Sequence, residues 1–267
     1  MGEHLVSPEG FSMAQFACYP SLLDRVILIT GGGSGIGASM VEEFTLQGSK
    51  VAFLDINQRV SLDLAKTLSK RGPHAPVFFP CDLTDIPALQ AAIEKISTQI
   101  GPPEVLVNNA GDDERHDLES VTVDDWDQRM AVNLRHHFFT AQAVAETMKQ
   151  RQSGSIINMS SIAWMIPTPQ LPVYATAKAA IVGLTRSLAH ELGPWNIRVN
   201  CVLPGAIMTE RQRSLWMSPS YEAEVLSRQC LKRHLQPSEV SRLVLFLASD
   251  DSAGITNQSH IIDAGWI

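Results

Sequence analysis

Short apolar runs alternate with longer amphipathic stretches along the chain, and this alternation constrains the fold more than any other feature of the sequence. The short runs predict buried strands at 26–30, 50–55, 77–79, 105–107, 155–157, 197–199 and 261–262. The longer stretches predict helices at 36–47, from Asn57 to about 71, from Asp85 to Gly101-Pro102, and at 124–150 and 173–192. Strands that alternate with helices need crossover connections, so we predict a single-domain α/β fold with a doubly wound parallel sheet flanked by helices.

The composition and charge of the 267-residue chain exclude several classes of protein. With 45% hydrophobic and 18% charged residues, the chain is typical of a globular protein. Its net charge of -7 comes without any cluster of Lys and Arg, so we expect no nucleic-acid partner. No apolar run approaches the roughly 18–20 residues that cross a bilayer, so we expect no membrane association. We divide the chain into an N-terminal extension, 1–24, and one domain, 25–267.

Four cysteines, Cys18, Cys81, Cys201 and Cys230, lie far apart in the sequence and form no C-x-x-C pair. This spacing argues against structural zinc, and we expect no metal site. Few cysteines in a large domain are typical of a reducing compartment, and the N-terminus lacks the basic start and long apolar run of a secretory signal. We therefore expect a cytoplasmic protein, with an extension that is either mobile or docked.

A glycine-rich segment, TGGGSGIG at 30–37, lies between the first predicted strand and the first predicted helix. Glycines allow a tight turn there and let a phosphate approach the open N–H groups of the helix N-terminus. A P-loop would need lysine where Ala38 stands, and a nucleophile elbow would need glycine where Ile36 stands. The segment therefore favours a dinucleotide over a nucleoside triphosphate or a serine nucleophile.

Asp55 ends the second predicted strand. A carboxylate at this position accepts hydrogen bonds from an adenosine ribose and repels a 2′-phosphate, which favours NAD over NADP. Arg59 lies one helical turn further on and could pair with Asp55 or Asp63.

Tyr174 and Lys178 are one helical turn apart, on the helix that follows the fifth predicted strand. Ser161 ends that strand, and Asn133 lies on the preceding long helix. Oxidation of an alcohol needs a base for the hydroxyl proton, and we expect the cation of Lys178 to lower the pKa of Tyr174 for this role. Serine would hold the substrate oxygen and asparagine would anchor a water that passes the proton onward.

With these motifs the chain resembles the short-chain dehydrogenase/reductase family, which has a Rossmann-type fold. The resemblance rests on TGGGSGIG (30–37), Asp82 in CDLTD, NNAG (108–111), Asn133, Ser161, YATAK (174–178) and the PG of VLPGAIMT (202–209). It implies a dinucleotide-binding and catalytic domain, a catalytic tetrad of Asn133, Ser161, Tyr174 and Lys178, and a homotetramer. Together with the glycine segment and Asp55, it gives the predicted NAD-binding residues: Gly31, Ser34, Gly35, Ile36, Gly37, Asp55, Asp82, Leu83, Asn109, Ala110, Gly111, Tyr174, Lys178, Ile207 and Thr209. The tail, with Asn257-Gln258 and Asp263-Ala264-Gly265, departs from the usual family pattern.

Polar residues mixed with tryptophan surround the predicted substrate pocket, and this mixture suits a sugar. The predicted substrate residues are Arg115, Ser161, Trp164, Gln170 and Arg211. Segments 126–144, 192–212 and 229–237 resemble bacterial aldose 1-dehydrogenases, which oxidise the anomeric carbon of pentoses or 6-deoxyhexoses to a lactone. D-xylose, L-arabinose, L-fucose and L-rhamnose are the candidate substrates that this resemblance implies.

Three functional hypotheses follow. The first is NAD-dependent oxidation of an aldose at C1, with Tyr174 as the base. The second is reduction of a keto-sugar or a 3-oxoacyl substrate, for which a reductase would usually take NADPH, against the charge of Asp55. The third is an NAD-binding module without turnover, which the intact tetrad opposes.

Overall fold

A computed structural model of the chain describes residues 16–267. Seven parallel strands form one sheet in the order β3-β2-β1-β4-β5-β6-β7. They are β1 Val26–Thr30, β2 Lys50–Asp55, β3 Val77–Pro80, β4 Val105–Asn108, β5 Gly154–Met159, β6 Ile197–Pro204 and β7 Ser259–Ile262. The predicted doubly wound parallel sheet is confirmed.

Helices cover both faces of the sheet. They are α1 Gly35–Leu46, α2 Gln58–Leu68, α3 Ile86–Gln99, α4 Val123–Met130, α5 His136–Arg151, α6 Pro172–Leu192, α7 Glu210–Leu215, α8 Pro219–Arg228 and α9 Pro237–Ala248. Residues from α1, α2 and α9 pack with one face of β1 and β2. Residues from α3, α5 and α6 pack with the other face. Because both faces are covered, the central strands read as continuous apolar runs, and every residue of Val26–Thr30 is buried.

Local capping signals set two helix starts that the sequence predicted. The Asn57 side chain accepts a hydrogen bond from the N–H of Val60, and Asp85 accepts one from the N–H of Ala88. The predicted helix at 124–150 is instead two helices joined by the π turn Ala131–Arg135. The helices α7, α8 and α9 are not among the predicted elements.

The carboxyl ends of β1 and β4 lie side by side at the centre of the sheet, where the strand order reverses. In an open sheet of this kind the crevice beyond such a reversal is the usual place for a ligand. Thr30, at the end of β1, accepts hydrogen bonds at Oγ1 from the N–H groups of Asn109 and Ala110, 3.0 and 3.2 Å away. These contacts join the glycine-rich turn to the NNAG segment.

Most of the N-terminal extension lies outside the described residues, which begin at Phe16. Within the described part, Leu22 is fully buried in the core beside α1 and β1. No helix in residues 16–267 combines the length and the apolar character that a bilayer crossing needs. The same range contains no cluster of His, Cys, Asp or Glu side chains that could hold a metal ion.

Candidate active site

The glycine-rich turn packs against the NNAG segment so closely that side chains are excluded. Gly31 has a φ of +65°, and a Cβ there would lie 2.8 Å from the Cα of Ala110. The side-chain amide of Asn109 donates to the carbonyls of Thr30 and Gly31, at 3.1 and 3.0 Å. Asn109 therefore fixes the path of the turn, a role in addition to the cofactor packing that the sequence predicted.

The N-terminus of α1 is open to an anion. Its cap, Ser34, makes no side-chain hydrogen bond to the first turn, so the N–H groups of that turn remain available to a phosphate. Thr209 lies above this end of the helix, since a Cβ on Gly35 would lie 3.3 Å from its Cγ2. Ile207 is buried and bridges to Leu235. Thr209, a predicted nicotinamide residue, thus lies beside the predicted phosphate site at the start of α1.

The carboxylate of Asp55 is held at the end of β2. Its two oxygens accept hydrogen bonds from the N–H groups of Gly33 and Asn57, each at 2.8 Å. In residues 16–267 no ion pair joins Arg59 to Asp55 or Asp63. Asp82 follows β3, the strand next to β2, and its Oδ1 accepts from the N–H and hydroxyl of Thr84. Leu83 is partly buried and packs against the core formed by α3, α5, α6 and the sheet. The two acidic side chains thus follow neighbouring strand ends.

Three members of the predicted tetrad meet at the end of β5. Lys178 is buried, with 3% of its surface exposed, and its Nζ donates to the carbonyl of Met159 at 3.1 Å. The same Nζ lies 5.4 Å from the ring centre of Tyr174. Ser161 caps the short helix after β5 and accepts from the N–H of Ala163. Its hydroxyl also interacts with the phenol of Tyr174.

The fourth member, Asn133, lies in the π turn between α4 and α5. Its side-chain amide donates to the carbonyls of Asp112 and Arg129, at 3.1 and 3.0 Å, and its Oδ1 accepts from the N–H of Asp112 at 2.9 Å. A Cβ on Gly111 would lie 3.0 Å from Asn133 Oδ1 and 3.1 Å from Lys178 Nζ. Asn133 therefore holds the segment after β4 against the lysine.

The expected lowering of the Tyr174 pKa is wrong for the protein alone. Burial raises the pKa of Tyr174, the carboxylates of Asp113 and Asp112 add to that rise, and the hydroxyl of Ser161 opposes it. Burial also lowers the pKa of Lys178 to about 8, although Cys201 and Asp113 act in the opposite direction. Desolvation is the largest cause of both pKa shifts, because each group loses water that stabilised its charged form.

This pKa direction gives a pH prediction. A base with a raised pKa is protonated at neutral pH, so kcat/KM for alcohol oxidation should increase as the pH rises and Tyr174 loses its proton. The measurement is kcat/KM at saturating cofactor from about pH 6 to about pH 10. A profile that falls steadily above neutral pH would contradict the assignment of a high-pKa base.

The predicted substrate residues have different partners in the structure. The guanidinium of Arg115 lies 4.7 Å from the ring centre of Trp216 and 6.0 Å from that of Tyr221. Trp164 is partly exposed after Ser161. Gln170 has a φ of +63°, and its carbonyl accepts from the N–H of His116. Tyr221 was not singled out from the sequence, because its contact with Arg115 joins positions far apart in the chain.

The last predicted substrate residue, Arg211, stands at the start of α7. It forms ion pairs with Asp112 and Asp113. These contacts join α7 to the segment after β4, across the mouth of the cleft.

Comparison with known proteins identifies the family. A family model described as enoyl-(acyl carrier protein) reductase matches residues 31–267. The chain belongs to the short-chain dehydrogenase/reductase family. As a member, it is an oxidoreductase with a nicotinamide cofactor, and the open N-terminus of α1, the packed glycine turn and the fixed carboxylate of Asp55 fit such a dinucleotide.

Two curated relatives and a solved structure of this family cover nearly the whole chain. A probable galactose dehydrogenase of Rhizobium meliloti is 51% identical and covers 92% of this chain and 96% of its own length. The D-xylose 1-dehydrogenase of Caulobacter vibrioides is 49% identical, and the match covers 94% of this chain and 98% of the relative's length. A 3-oxoacyl-[acyl-carrier protein] reductase with bound NAD from Brucella melitensis is 32% identical, with a TM-score of 0.85 over 100% of this chain and 98% of that chain.

Proposed function

We propose that this short-chain dehydrogenase oxidises the C1 hydroxyl of an aldose to the aldonolactone with NAD as the hydride acceptor. The observation that carries the proposal is the meeting of Tyr174, buried Lys178 and Ser161 at the strand edge next to the glycine turn. The names of the two relatives near 50% identity, a D-xylose and a galactose dehydrogenase, support a sugar as the substrate.

The chain's own residues account for the proton side of this reaction. A bound nicotinamide dinucleotide supplies the hydride acceptor. Tyr174 takes the proton of the C1 hydroxyl, and the hydroxyl of Ser161, which interacts with the phenol, orients that group. Lys178, held by the carbonyl of Met159, stabilises the phenolate that forms. Asn133 fixes the segment after β4 around the lysine.

The choice of NAD over NADP rests on Asp55. We expect the wild type to prefer NAD by at least about tenfold in kcat/KM, because an ionised carboxylate at this position repels a 2′-phosphate. Asp55→Asn removes that charge and should lower the preference by about tenfold. The control is Asp63→Asn, an exposed carboxylate on α2, which should leave the preference unchanged. Equal use of the two cofactors by the wild type would contradict this assignment.

The proposed function is tested by a substrate screen with NAD. The panel contains D-xylose, L-arabinose, L-fucose, L-rhamnose and D-galactose, and the readout is absorbance of the reduced cofactor together with identification of the lactone. Turnover of at least one aldose to its lactone is expected. The absence of turnover across the panel would overturn the proposal.

Reduction of a carbonyl substrate is a second candidate, because the solved relative with bound NAD is named a 3-oxoacyl reductase. The same phenol would then donate a proton to a keto-sugar or 3-oxoacyl oxygen. Rapid oxidation of NADH or NADPH by such a ketone, with no reaction on aldoses, would favour this candidate. A non-catalytic NAD-binding module would show neither reaction.

We also propose assembly as a homotetramer in the cytoplasm. An apolar groove of about 640 Å³ runs along α4, α5 and α6, and its lining includes Leu134, Phe138 and Leu184. Asp127 and Arg135 line the same groove, so it offers both charges that a symmetric contact with a second copy can pair. Light scattering should give four times the chain mass of 29.2 kDa.

The cytoplasmic location is proposed from the cysteines, which are few and widely spaced and so support a reducing compartment.

A further inference from the structure

One guanidinium holds two carboxylates at the mouth of the cleft. Arg211 donates through Nη2 to Asp112 Oδ1 at 2.6 Å and through Nε to Asp113 Oδ1 at 3.1 Å. One positive charge thus faces two negative charges, and the group keeps a net charge of minus one. All three side chains are partly exposed, so a ligand that enters the cleft can reach them.

The backbone that carries the two carboxylates is joined to the catalytic residues. Asp112 exchanges two hydrogen bonds with Asn133, through its N–H and its carbonyl. Gly111, immediately before it, packs against Lys178 Nζ. The carboxylate of Asp113 acts electrostatically on both Tyr174 and Lys178, since it contributes to raising the pKa of each. The pair therefore lies within electrostatic range of the reacting hydroxyl.

One oxygen of Asp113 remains available to a ligand. Arg211 occupies Oδ1, and within residues 16–267 no donor reaches Oδ2. A carboxylate oxygen accepts hydrogen bonds from neutral hydroxyl groups, and such charge-assisted bonds are stronger than neutral ones. The carboxylate of Asp113 also repels an anionic group that approaches this oxygen, because Arg211 is shared between Asp113 and Asp112.

A second contact keeps the carboxylates in place. Arg115, two residues after Asp113, lies over the ring of Trp216 and near that of Tyr221, both from the segment that follows Arg211. The segment after β4 and the segment 211–221 are therefore joined at two points. A carboxylate held in this way loses little freedom when it binds a hydroxyl.

We propose that Asp113, held by Arg211, is a specificity-determining residue, which binds a hydroxyl of a neutral sugar through its free oxygen and excludes anionic substrates. This inference rests on the proposed function, since it names the substrate class of that site as uncharged aldoses. Aldoses that carry a carboxylate or a phosphate are excluded by the net charge of Asp112, Asp113 and Arg211.

The test compares a neutral aldose with the uronate that shares its configuration at C2 to C4. The pairs are D-galactose with D-galacturonate and D-xylose with D-glucuronate. We expect the wild type to favour the neutral sugar by about a hundredfold or more in kcat/KM. Asp113→Asn should raise the KM of the neutral sugar by about tenfold and lower the preference for the neutral sugar over the uronate, as a ratio of kcat/KM values, by about tenfold.

Asp117→Asn is the matched control, because Asp117 lies in the same segment and its side chain caps nothing. It should match the wild type in KM and in preference. Asp113→Glu changes the side chain but keeps its charge, so this variant should still exclude uronates. That result would show that Asp113→Asn acts through the lost charge and not through a folding defect. The inference is overturned if Asp113→Asn and Asp117→Asn behave alike, or if the wild type oxidises uronates as fast as neutral sugars. A wild type that oxidises neither class refutes the proposed function, and the inference with it.

Discussion

Replacing Tyr174 with phenylalanine is expected to lower kcat by about 1,000-fold or more and to leave NADH affinity within about threefold of the wild type. The substitution removes the hydroxyl that takes the substrate proton and keeps the ring that packs beside Lys178. A positioned acid–base group increases the reaction rate by about 10²–10⁴-fold. The other tyrosines in residues 16–267, Tyr19 and Tyr221, are not members of the tetrad and would not replace Tyr174.

Steady-state kinetics and a fluorescence titration with NADH measure the two effects of Tyr174→Phe separately. Tyr19→Phe is the matched control, because it also removes one phenol but from a ring that packs against Phe246, outside the cleft. The control should keep wild-type turnover. Retention of more than about a tenth of the wild-type kcat by Tyr174→Phe would refute the assignment of the base.

Gly37→Ala is expected to destabilise the protein by about 3 kcal/mol and to abolish tight NADH binding. A Cβ at this position would lie 1.9 Å from the carbonyl oxygen of Gly31 and 2.8 Å from the side-chain nitrogen of Asn109. The carbonyl is part of the turn that approaches the cofactor, so the backbone must move to admit a methyl group. Chemical denaturation gives the loss in free energy of unfolding, and the NADH titration gives the loss in affinity.

Gly193→Ala is the control for this stability prediction. Gly193 follows the last residue of α6 with helical backbone angles, φ −54° and ψ −38°, and a Cβ there has no heavy atom within 4 Å. Alanine is favoured over glycine in the helical conformation by about 1 kcal/mol, so this variant should be as stable as the wild type or more so. Equal stability and NADH affinity for Gly37→Ala and Gly193→Ala would contradict the close approach at Gly37.

The parts of the fold that depend on local signals could be predicted from the sequence. The buried strands follow from short apolar runs, and Lys50–Asp55 has the predicted bounds. Asn57 and Asp85 mark helix starts through hydrogen bonds to N–H groups three residues later. Within the predicted tetrad, Ser161 follows a strand and Tyr174 shares a helical turn with Lys178, whereas Asn133 was predicted to lie on the preceding long helix.

Features that depend on distant contacts could not be predicted. The π turn at Asn133 is stabilised by hydrogen bonds to Asp112, twenty-one residues earlier in the chain. The spacing of apolar residues, which predicts helices, does not indicate such a turn. The ion pairs of Arg211 join residues nearly a hundred positions apart. The start of α9, by contrast, carries a local signal, a capping box of Gln236 and Glu239.

The direction of the Tyr174 pKa was also beyond the sequence. The spacing of Tyr174 and Lys178 suggests mutual attraction, but spacing says nothing of how much water each group loses. Nor does it place the carboxylate of Asp113 near the phenol. The loss of water and the charge of Asp113 near the phenol both depend on how the segment after β4 folds over the tetrad.

The most direct test of the account is to follow the hydrogen on the anomeric carbon. The enzyme is incubated with NAD and an aldose that it oxidises, deuterated at C1, and the reduced cofactor and the sugar product are analysed by mass spectrometry. We expect one deuterium in each molecule of reduced cofactor, an unlabelled lactone, and no transfer with Tyr174→Phe. A reduced cofactor without deuterium, or a product that keeps the label, would contradict oxidation at C1.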